Sequence, residues 1–242
     1  MSVHRFHVPE AAPGARITLP EHSAHHARDV LRLRPGAAVR VFDGAGAEFE
    51  AELDSVSRQG VSARITGRAP ARPESPLTVV LAVSPLRGDR MELVIQKATE
   101  LGVAEIRPVI TMRTDAAARP ALKGSRQERW DKVASGAAEQ SGRAVVPLVA
   151  PTTTLPALLG APFDGLKLLF LERSTPSPLS ALPRPERVLM VVGPAGGWDD
   201  AEVEQATAAG FVTAGLGPRI LRAETAALAA LSAVQVLWGD LG

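Results

Sequence analysis

The chain has 242 residues, 45% of them hydrophobic, and a formal net charge of +1 at pH 7. That length supports a substantial core, in one large domain or two modest ones. The absence of cysteine excludes disulfides, thiolate nucleophiles and cysteine-ligated zinc or iron–sulfur centres, and the absence of tyrosine removes another acid–base group. No apolar run reaches the roughly eighteen residues of a membrane span and no export signal opens the chain, so a cytoplasmic protein without a membrane partner is expected.

The small net charge conceals an asymmetry. Residues 1–150 hold 21 Lys and Arg against 17 Asp and Glu, whereas residues 151–242 hold 6 against 9. A basic front is compatible with a polyanionic partner, because lysine and arginine displace counterions from phosphates.

In chain order, a helix is expected from His22 to Leu33, stopped by Pro35-Gly36. VRVFDGAGAEFEAELDSV and GVSARITG then alternate with period two, and DGAG at 43–46 supplies a turn, so residues 1–70 read as a small β-barrel. GRAPARPESP, Gly67 to Pro76, reads as a linker. Beyond it, residues 74–242 alternate strands and helices, the pattern of a mostly parallel sheet covered on both faces. Strands are expected at 78–83, 105–110, 166–172, 188–192 and 212–216. Asp89 and Glu92 have capping-box spacing before a helix closed by Gly102, and Ser125 and Glu128 repeat the spacing before a helix ended by Gly142. The loop between those helices, MRTDAAARPALKG, is basic.

All five histidines, His4, His7, His22, His25 and His26, fall in the first 26 residues. His22 and His26 have metal-compatible helical spacing, but no accompanying glutamate completes a motif, and no metal is expected. The α/β part therefore lacks His, Cys and Tyr, which excludes Ser-His and Cys-His catalysis there, and it carries neither a dinucleotide fingerprint nor a P-loop.

Two glycine turns follow apolar strands and open helices. In GPAGGWDDAEVE (193–204), Pro194 removes an N–H that a pyrophosphate would use, so the loop suits a neutral or cationic ligand, and Asp199 with Glu202 has capping-box spacing. In LGPRILRAET (216–225), Glu224 and Thr225 suit a helix N-terminus, but Arg219 and Arg222 lie unfavourably near its positive end and point to a functional role.

These two segments, preceded by RGDRMELVIQKATELGV (87–103) and AAEQSGR (137–143), resemble the RsmE-type methyltransferases of the SPOUT superfamily, which methylate N3 of a uridine in 16S ribosomal RNA. HRFHV (4–8) and VLRLRPGAAVRVFDGAG (30–46) resemble that family's PUA-like RNA-binding barrel. The resemblance spans almost the whole chain, with its motifs in order. It implies an α/β fold in which a C-terminal trefoil-knotted methyltransferase domain acts as a homodimer on 16S rRNA or the small ribosomal subunit. S-adenosylmethionine would be bound at Leu171, Val192, Gly193, Pro194, Gly196, Gly197, Leu216, Gly217, Ile220, Leu221 and Thr225. A sulfonium donor carries no phosphate, so Pro194 does no harm. RNA contacts would come from Arg5, His25, Arg32 and Arg34, with Arg113, Lys123 and Arg126 near the basic loop. Either Arg219 or Arg222 would stabilise the uridine anion, with Glu224 orienting the arginine or accepting the proton. The chain departs from the family's GPEGG loop at Ala195, has Arg87 where lysine is common, and has Trp198 where phenylalanine is common. A catalytically silent ribosome-assembly factor is the alternative. The apolar last helix, around Leu228, Leu231, Val234 and Leu237, is expected to serve either a partner or the core.

Overall fold

A computed structural model describes residues 3–116, 124–172 and 179–242, the side chains of residues 124 and 125 excepted. The chain forms two compact units, Met1–Glu74 with Ser135–Val146, and Ser75–Ala134 with Pro147–Gly242.

In the first unit, β1 (Arg5–His7), β2 (Arg16–Thr18), β3 (Ala38–Phe42), β4 (Glu48–Ser57) and β5 (Gly60–Ala69) form a half-barrel sheet in the order β1-β3-β4-β5-β2. All pairs are antiparallel except β1 with β3. Alternation along the strands turns Val39, Val41, Phe49, Ala51, Leu53, Val61, Ala63 and Ile65 inward. Register shifts at Glu50/Ala51 and Leu53/Ser55 interrupt the β4–β5 ladder, and such irregularities bend a strand and increase its twist. The helix is shorter than expected. α1 (Glu21–His25) passes into a π-helical turn, His26–Val30, and Arg32 adopts φ 53°, a left-handed conformation that stops the helix before Pro35. The linker also starts later than its composition suggests, because Gly67, Arg68 and Ala69 still pair with Glu50, Phe49 and Glu48.

The second unit contains β6 (Thr78–Val83), α2 (Arg90–Glu100), β7 (Glu105–Ile110), the first part of α3 (Gly124–Ser141), β8 (Leu148–Val149), β9 (Thr153–Thr154), α4 (Leu155–Gly160), β10 (Leu166–Phe170), β11 (Arg187–Val192), α5 (Asp200–Ala208), β12 (Val212–Ala214) and α6 (Ala223–Trp238). Its sheet runs β12-β10-β11-β6-β7-β8, with β9 also on β7, and every pair is parallel. The apolar runs TVVLAV and VLMVV satisfy both faces. Val80, Ala82, Leu169, Leu189 and Val191 pack with Leu155, Leu158, Ala206 and Phe211, while the alternate residues Val79, Leu81, Val188 and Met190 are just as buried. α6 packs on α2, β6 and β11. Its buried Gln235 donates from Nε2 to the Leu101 carbonyl at 2.8 Å and accepts from the Ser75 hydroxyl at 2.8 Å, which satisfies a polar side chain inside the unit.

One local expectation needs correction. Asp89 does not cap α2, since no side-chain cap bond forms and its φ and ψ of −82° and 1° lie outside the extended region a capping residue uses. The Arg129 guanidinium instead pairs with both carboxylates of the box, 2.7 Å from Glu92 and 3.6 Å from Asp89. On α6, Leu231 and Val234 are core residues, whereas Leu237 is 42% exposed. Among the described residues, no helix is long and apolar enough to cross a membrane.

Candidate active site

Phe170 is in register with Val192 on one side and with Ala214 on the other. Three neighbouring parallel strands therefore end level, and the loops that follow them leave the same edge, where backbone groups have no ladder partners. Those loops and the start of α6 enclose a cavity. Of the residues expected at a cofactor site, Leu171, Val192, Gly193, Pro194, Gly197, Leu216, Gly217 and Leu221 line it. Gly196 belongs to neighbouring grooves, Ile220 is 67% exposed, and Thr225 is exposed within α6, so these three are not part of the lining.

Phe170, Glu172, Trp198, Ala223 and Ala226 also line the cavity and were not expected there. Trp198 is the organising side chain. Its Nε1 donates to the Phe170 carbonyl at 2.9 Å, and its ring lies so close to Gly193 that a Cβ on that residue would sit 2.8 Å from indole Cε2. Glycine at 193 is thus required by close approach rather than by its dihedral angles. At Gly217 the demand is different, since φ is +89° and the position is otherwise open.

The expected capping box at α5 forms. Asp199 accepts from Ala201 N at 3.2 Å, and Glu202 reaches back to Asp199 N at 3.2 Å. Glu202 also accepts from Met112 N at 2.7 Å, and Arg113 bonds Asp199 at 3.2 Å and the Gly196 carbonyl at 3.4 Å. The glycine loop is thereby held from its far side. A groove beside the cavity is lined by Arg87, Arg90, Arg113, Asp89 and Asp115, with Ala195 on its wall and Arg87 paired to Asp115.

The three expected catalytic residues have different surroundings. Arg219 lines the cavity, whereas Arg222 stands exposed at the N-cap position of α6 without a side-chain cap bond. Glu224 is in the first helical turn, 12% exposed, with Arg90 Nε 3.7 Å away, so the guanidinium it orients belongs to α2. Thr225 is not a cap. The helix starts earlier, with Ala226 N bonding the Arg222 carbonyl at 2.8 Å.

In the first unit, Arg5 is occupied internally and is no free RNA ligand. Its guanidinium takes both Glu48 oxygens at 3.0 and 2.9 Å and the carbonyls of Ala138, Glu139 and Arg143, over the Phe42 ring. His25 is exposed with Asp29 at 3.4 Å, and Arg32 and Arg34 are exposed. Arg126 is half-buried on α3, and Lys123 lies outside the described residues. His7 stacks on Phe42 and shares a 2.8 Å hydrogen bond with Ser135, and its burial lowers its pKa. Glu139 accepts from His7 N at 2.8 Å and from Ser23 at 3.2 Å, yet burial dominates and raises its pKa. Among the described residues, no group of three or more His, Asp or Glu could hold a metal ion.

Comparison with known proteins converges on one family. Residues 73–235 match the model of an RNA methyltransferase domain, and residues 19–66 match that of an RNA methyltransferase PUA domain. The ribosomal RNA small subunit methyltransferase E of Bacillus subtilis is 38% identical over 96% of this chain and 94% of its own, and that of Synechocystis is 35% identical over 95% and 76%. The crystal structure of the Neisseria gonorrhoeae enzyme of the same name, solved with S-adenosylmethionine, superimposes with TM-score 0.90 at 38% identity, covering all of both chains. A Legionella pneumophila structure in complex with the same cofactor gives TM-score 0.94 at 34% identity. With its PUA-type half-barrel and its parallel α/β unit, this chain belongs to the ribosomal RNA small subunit methyltransferase E family.

Proposed function

We propose that the chain transfers the methyl group of S-adenosylmethionine to N3 of a uridine in 16S ribosomal RNA, acting as a cytoplasmic homodimer on the rRNA or the small subunit. The observation that carries the reading is the cavity enclosed by the two glycine loops, in a chain 38% identical to a relative solved with that cofactor. The lining fits such a ligand. It is apolar around Leu171, Val192, Leu216 and Leu221, admits close backbone approach at Gly193, and, among the described residues, offers no lysine for a phosphate. When bound, the donor supplies an electrophilic methyl group on a sulfonium.

Everything else falls to the chain. Uridine N3 carries an imide proton that leaves before or as nitrogen attacks, so anionic charge develops on the base. Arg222 or Arg219 stabilises that charge, and Glu224, with Arg90 3.7 Å away, either orients an arginine or takes the proton. Residues 74–242 carry this chemistry and residues 1–70 contribute RNA contacts through exposed Arg32, Arg34 and His25. Exposed Val236, Leu237 and Leu241 near the end of α6 support the homodimer.

The test is transfer of labelled methyl to small subunits and to naked rRNA from cells lacking this modification, followed by nucleoside analysis. Label in 3-methyluridine is expected. Label in another nucleoside would discard the base specificity, and no label with RNA binding intact would favour a silent assembly factor, with Ala195 the residue to revert.

A further inference from the structure

Among the described residues, two charged side chains line the cavity, Glu172 and Arg219. They have opposite signs and come from the loops after β10 and β12, strands that are hydrogen-bonded neighbours. Glu172 reaches over the glycine loop, its Oε2 4.0 Å from where a Cβ on Gly197 would stand. Among the described residues, neither side chain is in an ion pair. A carboxylate and a guanidinium bordering an otherwise uncharged cavity call for a ligand with an apolar body and a zwitterionic end.

We infer that Glu172 and Arg219 read the amino-acid end of the donor, Arg219 pairing with its α-carboxylate and Glu172 with its α-ammonium. This rests on the donor assignment of the preceding subsection. An adenosyl group is neutral near pH 7 and suits the aliphatic wall and the Trp198 ring. Apart from the sulfonium, which S-adenosylhomocysteine lacks, the remaining charges of the ligand are those of an amino acid. A guanidinium matches a carboxylate in two parallel hydrogen bonds, which no other lining side chain can supply. The inference also separates the two arginines: Arg219 serves the donor, which leaves Arg222 for the nucleotide base.

The test is calorimetric binding with no methyl transfer involved. Wild type, Glu172→Gln and Arg219→Ala are titrated with S-adenosylhomocysteine, which has the amino-acid end, and with 5′-methylthioadenosine, which lacks it. Each substitution is expected to weaken S-adenosylhomocysteine roughly tenfold, as for loss of a charge-assisted hydrogen bond, and to leave methylthioadenosine within about twofold. Retained methylthioadenosine binding also certifies a folded cavity. Decarboxylated S-adenosylmethionine sharpens the assignment, because Arg219→Ala should not weaken it. Parallel loss of both ligands, or loss of neither, overturns the inference while the donor site stands. Wild type binding none of the three overturns the donor site itself.

Discussion

Residues of one type behave differently here according to what surrounds them, and the arginines show it. Arg5 is part of the framework: its side chain is 12% exposed against 2% for Glu48. Arg5→Ala would leave the buried Glu48 carboxylate with only the longer Arg40 contact, 3.6 Å away, and three carbonyls without their guanidinium donor, so a loss of about 2–3 kcal/mol is expected in urea titration of the folded protein. Arg222 is the opposite case, exposed and uncommitted to a cap. Arg222→Ala should reduce methyl transfer at least roughly tenfold, the loss expected when a charged stabiliser of the transition state goes, with donor affinity unchanged. Impaired donor binding alone would remove Arg222 from the chemistry. His7 gives a pH prediction. Its folded pKa is lowered by desolvation, reinforced by His22 and opposed by Asp43 and Glu10, so the neutral ring is the one the fold favours. Its contribution to stability is present above the unfolded value of 6.5 and is lost as pH falls through the lower folded value. The raised pKa of Glu139 works in the opposite sense, with stability present below its unfolded value and lost as pH rises through the folded one. On going from pH 7 to 5.5, the melting temperature of the first unit should therefore change less favourably in wild type than in His7→Gln. Parallel curves would refute it.

Elements were legible in the sequence wherever the signal was local. The apolar runs of β6 and β11 and the box of Asp199 and Glu202 each depend on a few consecutive residues, and all appear as read. Asp89 and Glu92 have the same spacing and fail: Asp89 is not in a capping conformation, and Glu92 is engaged by Arg129, 37 residues beyond it. Spacing cannot reveal a competitor that distant. The cavity divides similarly. Its glycines and Pro194 announce a ligand loop, whereas Phe170, Ala223 and Ala226 are ordinary apolar residues until strand register places them beside it. Trp198 sits between these cases, visible as an aromatic replacement but silent about its hydrogen bond. It ties the end of β10 to the loop after β11. Trp198→Phe keeps the ring and removes the bond, so donor affinity measured by calorimetry should weaken roughly two- to tenfold, the range for one neutral hydrogen bond. An unchanged constant would mean that packing on Gly193 holds the loop unaided.

At the scale of the whole molecule, the composition was informative mainly by exclusion. An α/β part without His, Cys or Tyr has no imidazole, thiol or phenol to offer, and among the described residues the charged side chains lining the cavity are Glu172 and Arg219. What composition could not show is that the first unit is assembled from two separated stretches. Arg5 needs the carbonyls of 138, 139 and 143, His7 needs Ser135 and Glu139, Phe42 packs on Ala138 and Ala144, and Glu74 pairs with Arg143. During synthesis, then, the half-barrel strands leave the ribosome well before the segment that completes them. At about 5–20 residues per second, the intervening 60 residues, 75–134, impose a wait of several seconds in which Arg5 and Glu48 lack part of their setting. Nascent chains arrested with residue 74 just exposed should be protease-sensitive throughout the unit, and those arrested beyond residue 146 should resist. Equal resistance at both lengths would show that the strands hold together unaided. The late segment thus acts as a checkpoint in time: the unit reaches its finished form only after more than half of the chain has been made.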